Sequence, residues 1–361
     1  MCYETRMSDA ASEHLAALLP PLLRSLEMLG FIARHFHPPD FGAVMDAAGT
    51  PDDDLRAARQ RFDGWPDELA GVRERLETAV NAVLAAFDGL RGAPDQADGI
   101  RAVFRALRYV PRAKEALYPL AGAVPAINRY FLDPALRDDA ELVAAPAPDG
   151  TGIMHVDNEP GSRGGYSLYV PEYYAPDRAW PLVMALHGGS GNGRNFLWTW
   201  LRGARSHGAI LVAPTATGPT WALMGEDTDT PNLNRILDAV KSRWNIDASR
   251  MLLTGMSDGG TFCYVTGLED ASPFTHLAPV SATFHPLMAE MASPERLRGL
   301  PIHLTHGALD WMFPVEVARQ THRALAAAGA AIVYRELDDL SHCYPDEINA
   351  PVLAWLRGTA R

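Results

Sequence analysis

The sequence predicts an α/β domain, a mostly parallel sheet covered by helices on both faces, preceded by an all-helical N-terminal domain. Three observations predict it. Apolar residues recur at helical spacing from Ser12 to about Phe131 with no β-rich segment among them. The stretch Ala144 to Gly150, small residues interrupted by Pro and Gly, has the composition of a linker. Beyond it, short apolar runs alternate with helical stretches, the pattern of buried parallel strands joined by crossover helices. The expected domains are therefore 1–145, helical, and 146–361, α/β.

In the first region the clearest stripe is Leu69, Val72, Leu76, Val80, Val83, Leu84 and Phe87, with charges on the other faces. Breakers at Pro38-Pro39, Gly49-Thr50-Pro51, Gly92-Ala93-Pro94 and Tyr118-Pro119 divide the region into about five helices. In the second region strands are expected at Tyr166–Val170, Leu182–Leu186, Ile210–Ala213, Met251–Thr254, Ala278–Ser281, Ile302–Thr305 and Ile332–Glu336. Helices are expected near Gly193–Arg205, Asn232–Trp244, Thr261–Leu268, Val315–Ala328 and Ile348–Leu356. No internal repeat or low-complexity tract interrupts this order.

Composition narrows the function classes. Apolar residues make up 47% of the 361 and charged residues 21%, enough for a sizeable core. The net charge of −12 and the lack of any Lys/Arg-rich run argue against a nucleic-acid partner. No apolar run approaches the length of a bilayer span, so no membrane insertion is expected. Glu4, Asp9 and Glu13 interrupt the N-terminal apolar residues where a secretory signal would be continuous, and the expected compartment is the cytoplasm. Cys2, Cys263 and Cys343 are too few and irregular for a disulfide framework or a zinc site, and free thiols are expected. His303 and His306 are spaced like a ligand pair, but no H-E-x-x-H or cysteine accompanies them; they are read as structural, and no metal is expected.

The sharpest chemical signal is Gly255-Met256-Ser257-Asp258-Gly259, followed by Gly260. It fits G-x-S-x-G, which belongs on a tight turn from a strand into a helix, and Arg250–Thr254 and the residues after Gly260 supply that context. A serine becomes nucleophilic only when a base takes its proton, and the base must be oriented. In this arrangement the acid and then the histidine follow the serine along the chain. Asp310 stands just past the strand Ile302–Thr305, and His342 in the loop after Ile332–Glu336. His306, Asp338 and Asp339 compete for these roles, but His306 precedes a glycine at a strand end and the two aspartates share the loop of His342. A third requirement, backbone donors for a developing oxyanion, points to His187-Gly188-Gly189 after the strand Leu182–Leu186: the N–H of Gly189, with Gly188 beside it, would pair with that of Asp258. A phosphate-binding glycine loop is the competing reading there, but neither G-x-x-x-x-G-K-[ST] nor G-x-G-x-x-G is present.

These residues together resemble the α/β-hydrolase superfamily across roughly 150–361. Within it the chain is similar to the bacterial phospholipase/carboxylesterase and polyhydroxybutyrate-depolymerase-like, or feruloyl-esterase-like, branch. Leu186-His187-Gly188-Gly189, Asp247-Ala248-Ser249-Arg250 leading into Thr254–Gly260, His306–Asp310 with Phe313-Pro314, and Ser341-His342 carry the likeness. The resemblance implies hydrolysis of a small-molecule or oligomeric ester through an acyl-enzyme, with no cofactor. The helical N-terminal domain departs from simple members of the branch. A lid, a homo-oligomer interface and a partner-binding module all remain open for it.

Trp221, Trp311 and Phe313 are candidates to line the substrate pocket, with packing beneath the loops as the alternative for each. Trp198 and Trp200 are explained equally by helix packing, and Glu226, Asp227 and Asp229 read as a solvated acidic loop. A peptidase, thioesterase or acyltransferase would use the same machinery. A non-catalytic binding protein is the reading from another class, and it sits poorly with three filled positions.

Overall fold

The computed structural model describes residues 9–62, 65, 69–144 and 148–358. These fall into two compact units, one ending at Asp138 and the other beginning at Asp139, a division seven residues before the expected 145/146.

The first unit is helical: α1 (Asp9–His35), α2 (Phe41–Ala48), α3 (Asp53–Arg59), α4 (Ala70–Arg91), α5 (Gly99–Leu107), α6 (Tyr109–Leu117) and α7 (Pro125–Tyr130). Among the described residues seven α-helices stand where five are expected, because the chain also divides between α3 and α4 and between α5 and α6, where no breaker was singled out. Pro125 opens α7, its missing N–H costing nothing at a first helical turn. The α4 stripe packs as its periodicity requires, with Leu76, Val80, Val83, Phe87 and Leu90 buried. On α1, Leu15, Leu18, Leu22, Leu26, Leu29 and Ile32 form a second buried stripe that the sequence reading did not single out. The stretch Glu13–His35 corrects another expectation. At 23 residues it is long and apolar enough to cross a membrane, and half of its most apolar window is buried within the protein. Just before α3, fully buried Asp52 accepts hydrogen bonds from Arg56 of α3 and from Arg91 at the end of α4.

The second unit opens with α8 (Ala140–Ala144) and continues as an eight-stranded sheet. Its strands are β1 (Gly152–Val156), β2 (Tyr166–Val170), β3 (Trp180–Leu186), β4 (Ile210–Pro214), β5 (Ile246–Met256), β6 (His276–Val280), β7 (Pro301–Gly307) and β8 (Ala331–Leu337). Among them run α9 (Gly193–His207), α10 (Asp229–Lys241), α11 (Asp258–Gly267), α12 (Leu287–Met291), α13 (Pro294–Leu297), α14 (Val315–Ala327) and α15 (Asn349–Leu356). The seven expected strands are present. Unexpected β1 is a half-buried edge strand paired antiparallel to β2, and its residues Gly-Ile-Met-His-Val lack the continuous apolar run of the inner strands.

The strand order is β1-β2-β4-β3-β5-β6-β7-β8, parallel from β4 to β8 with β2 antiparallel to β4. The chain crosses from β3 one way to β4, and from β5 the other way through β6 to β8. Right-handed crossovers put α9 on one face and α10, α11 and α14 on the other. The last helix, α15, packs on α9. The connections reverse direction between adjacent β3 and β5. A crevice opens at the carboxyl ends of strands at such a point, and this is where ligands bind in open α/β sheets.

Candidate active site

Both sides of that crevice are built from the predicted residues. Met256 ends β5 and Asp258 begins α11, leaving Ser257 alone on the turn with φ 55° and ψ −122°. A non-glycine residue at positive φ is strained and persists only where its surroundings enforce it. Here they do. A Cβ at Gly255 would lie 2.5 Å from the Gly259 backbone, and one at Gly259 would lie 2.4 Å from the Leu186 carbonyl oxygen. Glycine at these two positions lets α11 start directly against β3 and forces the serine outward at the tip.

The groups expected to act on Ser257 converge on it. His342 Nε2 lies 3.1 Å from Ser257 Oγ, and His342 Nδ1 lies 2.9 Å from Asp310 Oδ2 and 3.1 Å from Oδ1. All three residues are buried. Oδ1 of Asp310 also accepts the backbone N–H groups of Met312 (2.9 Å) and Phe313 (2.8 Å). Burial works to raise the Asp310 pKa. The hydrogen bond from His342 and that residue's charge, with the Phe313 amide, outweigh it and hold the carboxyl below its ordinary value.

His306 is the second histidine against this carboxylate. Its Nε2 donates to the Phe313 carbonyl at 2.8 Å and lies 3.4 Å from Asp310 Oδ2. Fully buried, it has its pKa pushed down by desolvation, and the neutral ring braces the turn from β7 that carries Asp310. His303 does not join it. Three residues apart on a strand, the two rings fall on opposite faces, and His303 packs edge-on against Trp355.

The glycine loop after β3 lies on the other side. A Cβ at Gly188 would stand 3.6 Å from that of Ser257, and one at Gly189 only 2.7 Å from Asp258 Oδ2. The predicted oxyanion donors thus flank the serine. Four supporting contacts were not legible in the sequence. His187 donates from Nδ1 to the Gly188 carbonyl (2.7 Å) and accepts the Ala216 N–H on Nε2 (3.1 Å), which fixes its tautomer. Burial lowers its pKa to about 4, so it is neutral at pH 7. Thr220 Oγ1 donates to Asp258 Oδ2 at 2.5 Å. Asp229, expected in a solvated loop, is instead buried: its carboxylate accepts the N–H groups of Thr217 (2.7 Å) and Ala222 (2.8 Å) and pins the loop that carries Thr220.

The fourth contact is made by Trp221. The ring is 2% exposed, stacks on Phe262, and donates its indole N–H to the His187 carbonyl at 2.7 Å. These contacts agree with the packing alternative for this residue. Trp311 and Phe313 do reach the site, meeting the His342 ring edge-on at centroid distances of 6.2 and 5.1 Å. Trp198 and Trp200 are buried on α9, where Trp200 packs near Tyr344. Cys263 is a buried free thiol and Cys343 is buried; Cys2 lies outside the described residues.

Comparison with known proteins adds the following. The family described as Phospholipase/Carboxylesterase matches residues 226–356. A bifunctional acetylxylan esterase/xylanase of Neocallimastix patriciarum is 31% identical over 156 residues, 42% of this chain and 22% of that one. A probable feruloyl esterase C of Aspergillus terreus is 33% identical over 123 residues, 32% of this chain and 45% of that one. The matches span less than half the length of either relative. Among solved structures, a ferulic acid esterase aligns with a TM-score of 0.47 and 16% identity, over 58% of this chain and 97% of that one.

Proposed function

We propose that this chain, whose sheet unit is an α/β-hydrolase, is a serine esterase that cleaves carboxylic esters through an acyl-enzyme. The observation that carries the reading is the chain of contacts Ser257 Oγ–His342 Nε2–His342 Nδ1–Asp310 at the switch point of the sheet. Asp310, an acceptor only, holds the His342 proton on Nδ1 and leaves the Nε2 lone pair facing the serine hydroxyl. Ser257 Oγ attacks the acyl carbon as His342 takes its proton. The N–H groups of Gly189 and Asp258 receive the oxyanion, and removing one such donor typically costs about 3 kcal/mol of transition-state stabilisation. The imidazolium then protonates the departing alcohol. Water, deprotonated by His342, releases the acid and regenerates Ser257.

Trp311 and Phe313 beside His342 favour an aromatic or short acyl group, in keeping with the feruloyl and acetyl esters in the names of the relatives. The test is turnover of p-nitrophenyl acyl esters from acetyl to long chain, and of methyl ferulate, by the wild type and by Ser257→Ala. Hydrolysis that disappears in the variant is expected. A folded wild type inert toward all of these esters would overturn the reading, and transfer of the acyl group to added alcohol in preference to water would change it to an acyltransferase.

A further inference from the structure

The helical unit carries a concave site of its own, and it is basic within an acidic chain. Between Arg101 and Lys114 the sequence has five basic residues and no acid, against a net charge of −12 overall. Arg105, Arg108, Tyr109 and Arg112 recur at i, i+3, i+4 and i+7 across the junction of α5 and α6, the spacing that puts residues on one face. Together with Gln96 they rim a groove of about 550 Å³. Its floor is made of small side chains, Ala85 and Gly89 from α4 and Ala102 and Ala106 from α5. The two helices meet closely there, since a Cβ at Gly89 would stand 2.8 Å from that of Ala106.

The arginines are not used up by the fold. Arg105 donates to Gln96 Oε1 at 2.6 Å, a neutral partner. Arg108 and Arg112 make no ion pair among the described residues, and both are exposed. Like charges at this helical spacing repel one another. Guanidinium groups with no carboxylate among the groove's lining residues, over an apolar floor of small side chains and beside a 38% exposed tyrosine, are complementary to an anion carried on a flat body. The size favours a small molecule over a protein face, because ligand sites are concave and span roughly 300–1,000 Å³.

We propose that this groove binds a small organic anion: a carboxylate or phosphate held by Arg108 and Arg112, its flat apolar body lying on the alanine–glycine floor against Tyr109. The site is independent of the ester chemistry. The test uses the full chain as Ser257→Ala, so that no probe is turned over, and follows calorimetric binding and thermal shift. The probes are trans-cinnamate, adenosine 5′-monophosphate, inorganic phosphate and neutral cinnamamide.

Cinnamate or the nucleotide should bind one to one, raise the melting temperature and weaken as salt is added, while cinnamamide fails; which of the two binds tells carboxylate from phosphate. The double variant R108Q/R112Q, folded by circular dichroism, should lose about tenfold or more in affinity. Ala85→Leu, which fills the floor, should weaken the flat probes and leave inorganic phosphate unaffected. The proposal is overturned if no probe binds, if the arginine variant binds as tightly as its parent, or if polyglutamate binds where the small probes do not, which would make this face a protein-docking surface.

Discussion

Replacing Asp310 by Asn tests the proposed mechanism at its least replaceable atom. The variant keeps size and shape, so the loop geometry can survive, but the hydrogen-bond inventory changes. The backbone N–H groups of Met312 and Phe313 both point at Oδ1 and require an acceptor there. The amide must therefore turn its oxygen toward them and present its NH₂ where Oδ2 stood, 2.9 Å from His342 Nδ1 and 3.4 Å from His306 Nε2. An NH₂ facing His342 selects the tautomer with the proton on Nε2, so the ring donates toward Ser257 and cannot accept its proton. In the general Ser-His-Asp scheme that error costs about 10⁴ in kcat, equivalent to about 5 kcal/mol of barrier. The same NH₂ also opposes the N–H of His306, which should lower stability by about 1–2 kcal/mol. The assay is steady-state hydrolysis of p-nitrophenyl acetate with a urea unfolding curve on the same protein. A folded Asp310→Asn variant that kept kcat within tenfold of wild type would refute the assignment of Asp310 and reopen the case for Asp338 or Asp339.

Two further predictions follow from burial. His187 and His303 are held neutral with pKa values of about 4, against 6.5 in an unfolded chain, so the unfolded state binds more protons between those values and stability must fall as pH drops from about 6.5 toward 4. Each is worth roughly 3 kcal/mol across that window. Urea midpoints measured from pH 7 to 4.5 should decline, and less steeply in His187→Gln; a flat profile would contradict the burial of both rings. Gly259→Ala places a methyl group 2.4 Å from the Leu186 carbonyl oxygen, which neither strand nor helix can vacate. It should cost several kcal/mol and abolish activity with it, so an alanine variant of wild-type melting temperature would mean that the turn is not built as described.

How much of this was legible depends on how locally each feature is encoded. The inner strands were readable because both of their faces are buried and their apolar runs are continuous; β3 is buried at every position. Edge strand β1, with one buried residue in five, left no such signature. Ser257 and its glycines were legible because a strand-to-helix turn compresses the steric demand into five consecutive residues. Asp310 and His342 followed from their order after the serine and their places at strand ends. The α1 stripe is periodic but was not singled out, and prolines at positions 20 and 21 in its middle are unfavourable inside a helix. In the structure those prolines sit inside one continuous helix, and only the tertiary burial of the flanking leucines shows it.

The supporting residues were illegible for a different reason: their partners belong to no motif, and several lie far along the chain. Trp221 and Asp229 look like a pocket aromatic and a surface acid when read along the chain. Their partners are the His187 carbonyl, 34 residues away, and the amides of Thr217 and Ala222. These contacts form one linked arrangement. Asp229 fixes the 217–222 loop, Thr220 on that loop holds the Asp258 carboxylate, Trp221 supports His187, and His187 fixes the carbonyl of Gly188. The two proposed oxyanion donors, Gly189 and Asp258, come from different turns, so their spacing depends on this linkage rather than on either turn alone. The proposed nucleophile is announced in five residues, whereas the separation of the proposed oxyanion donors depends on polar side chains that carry no motif.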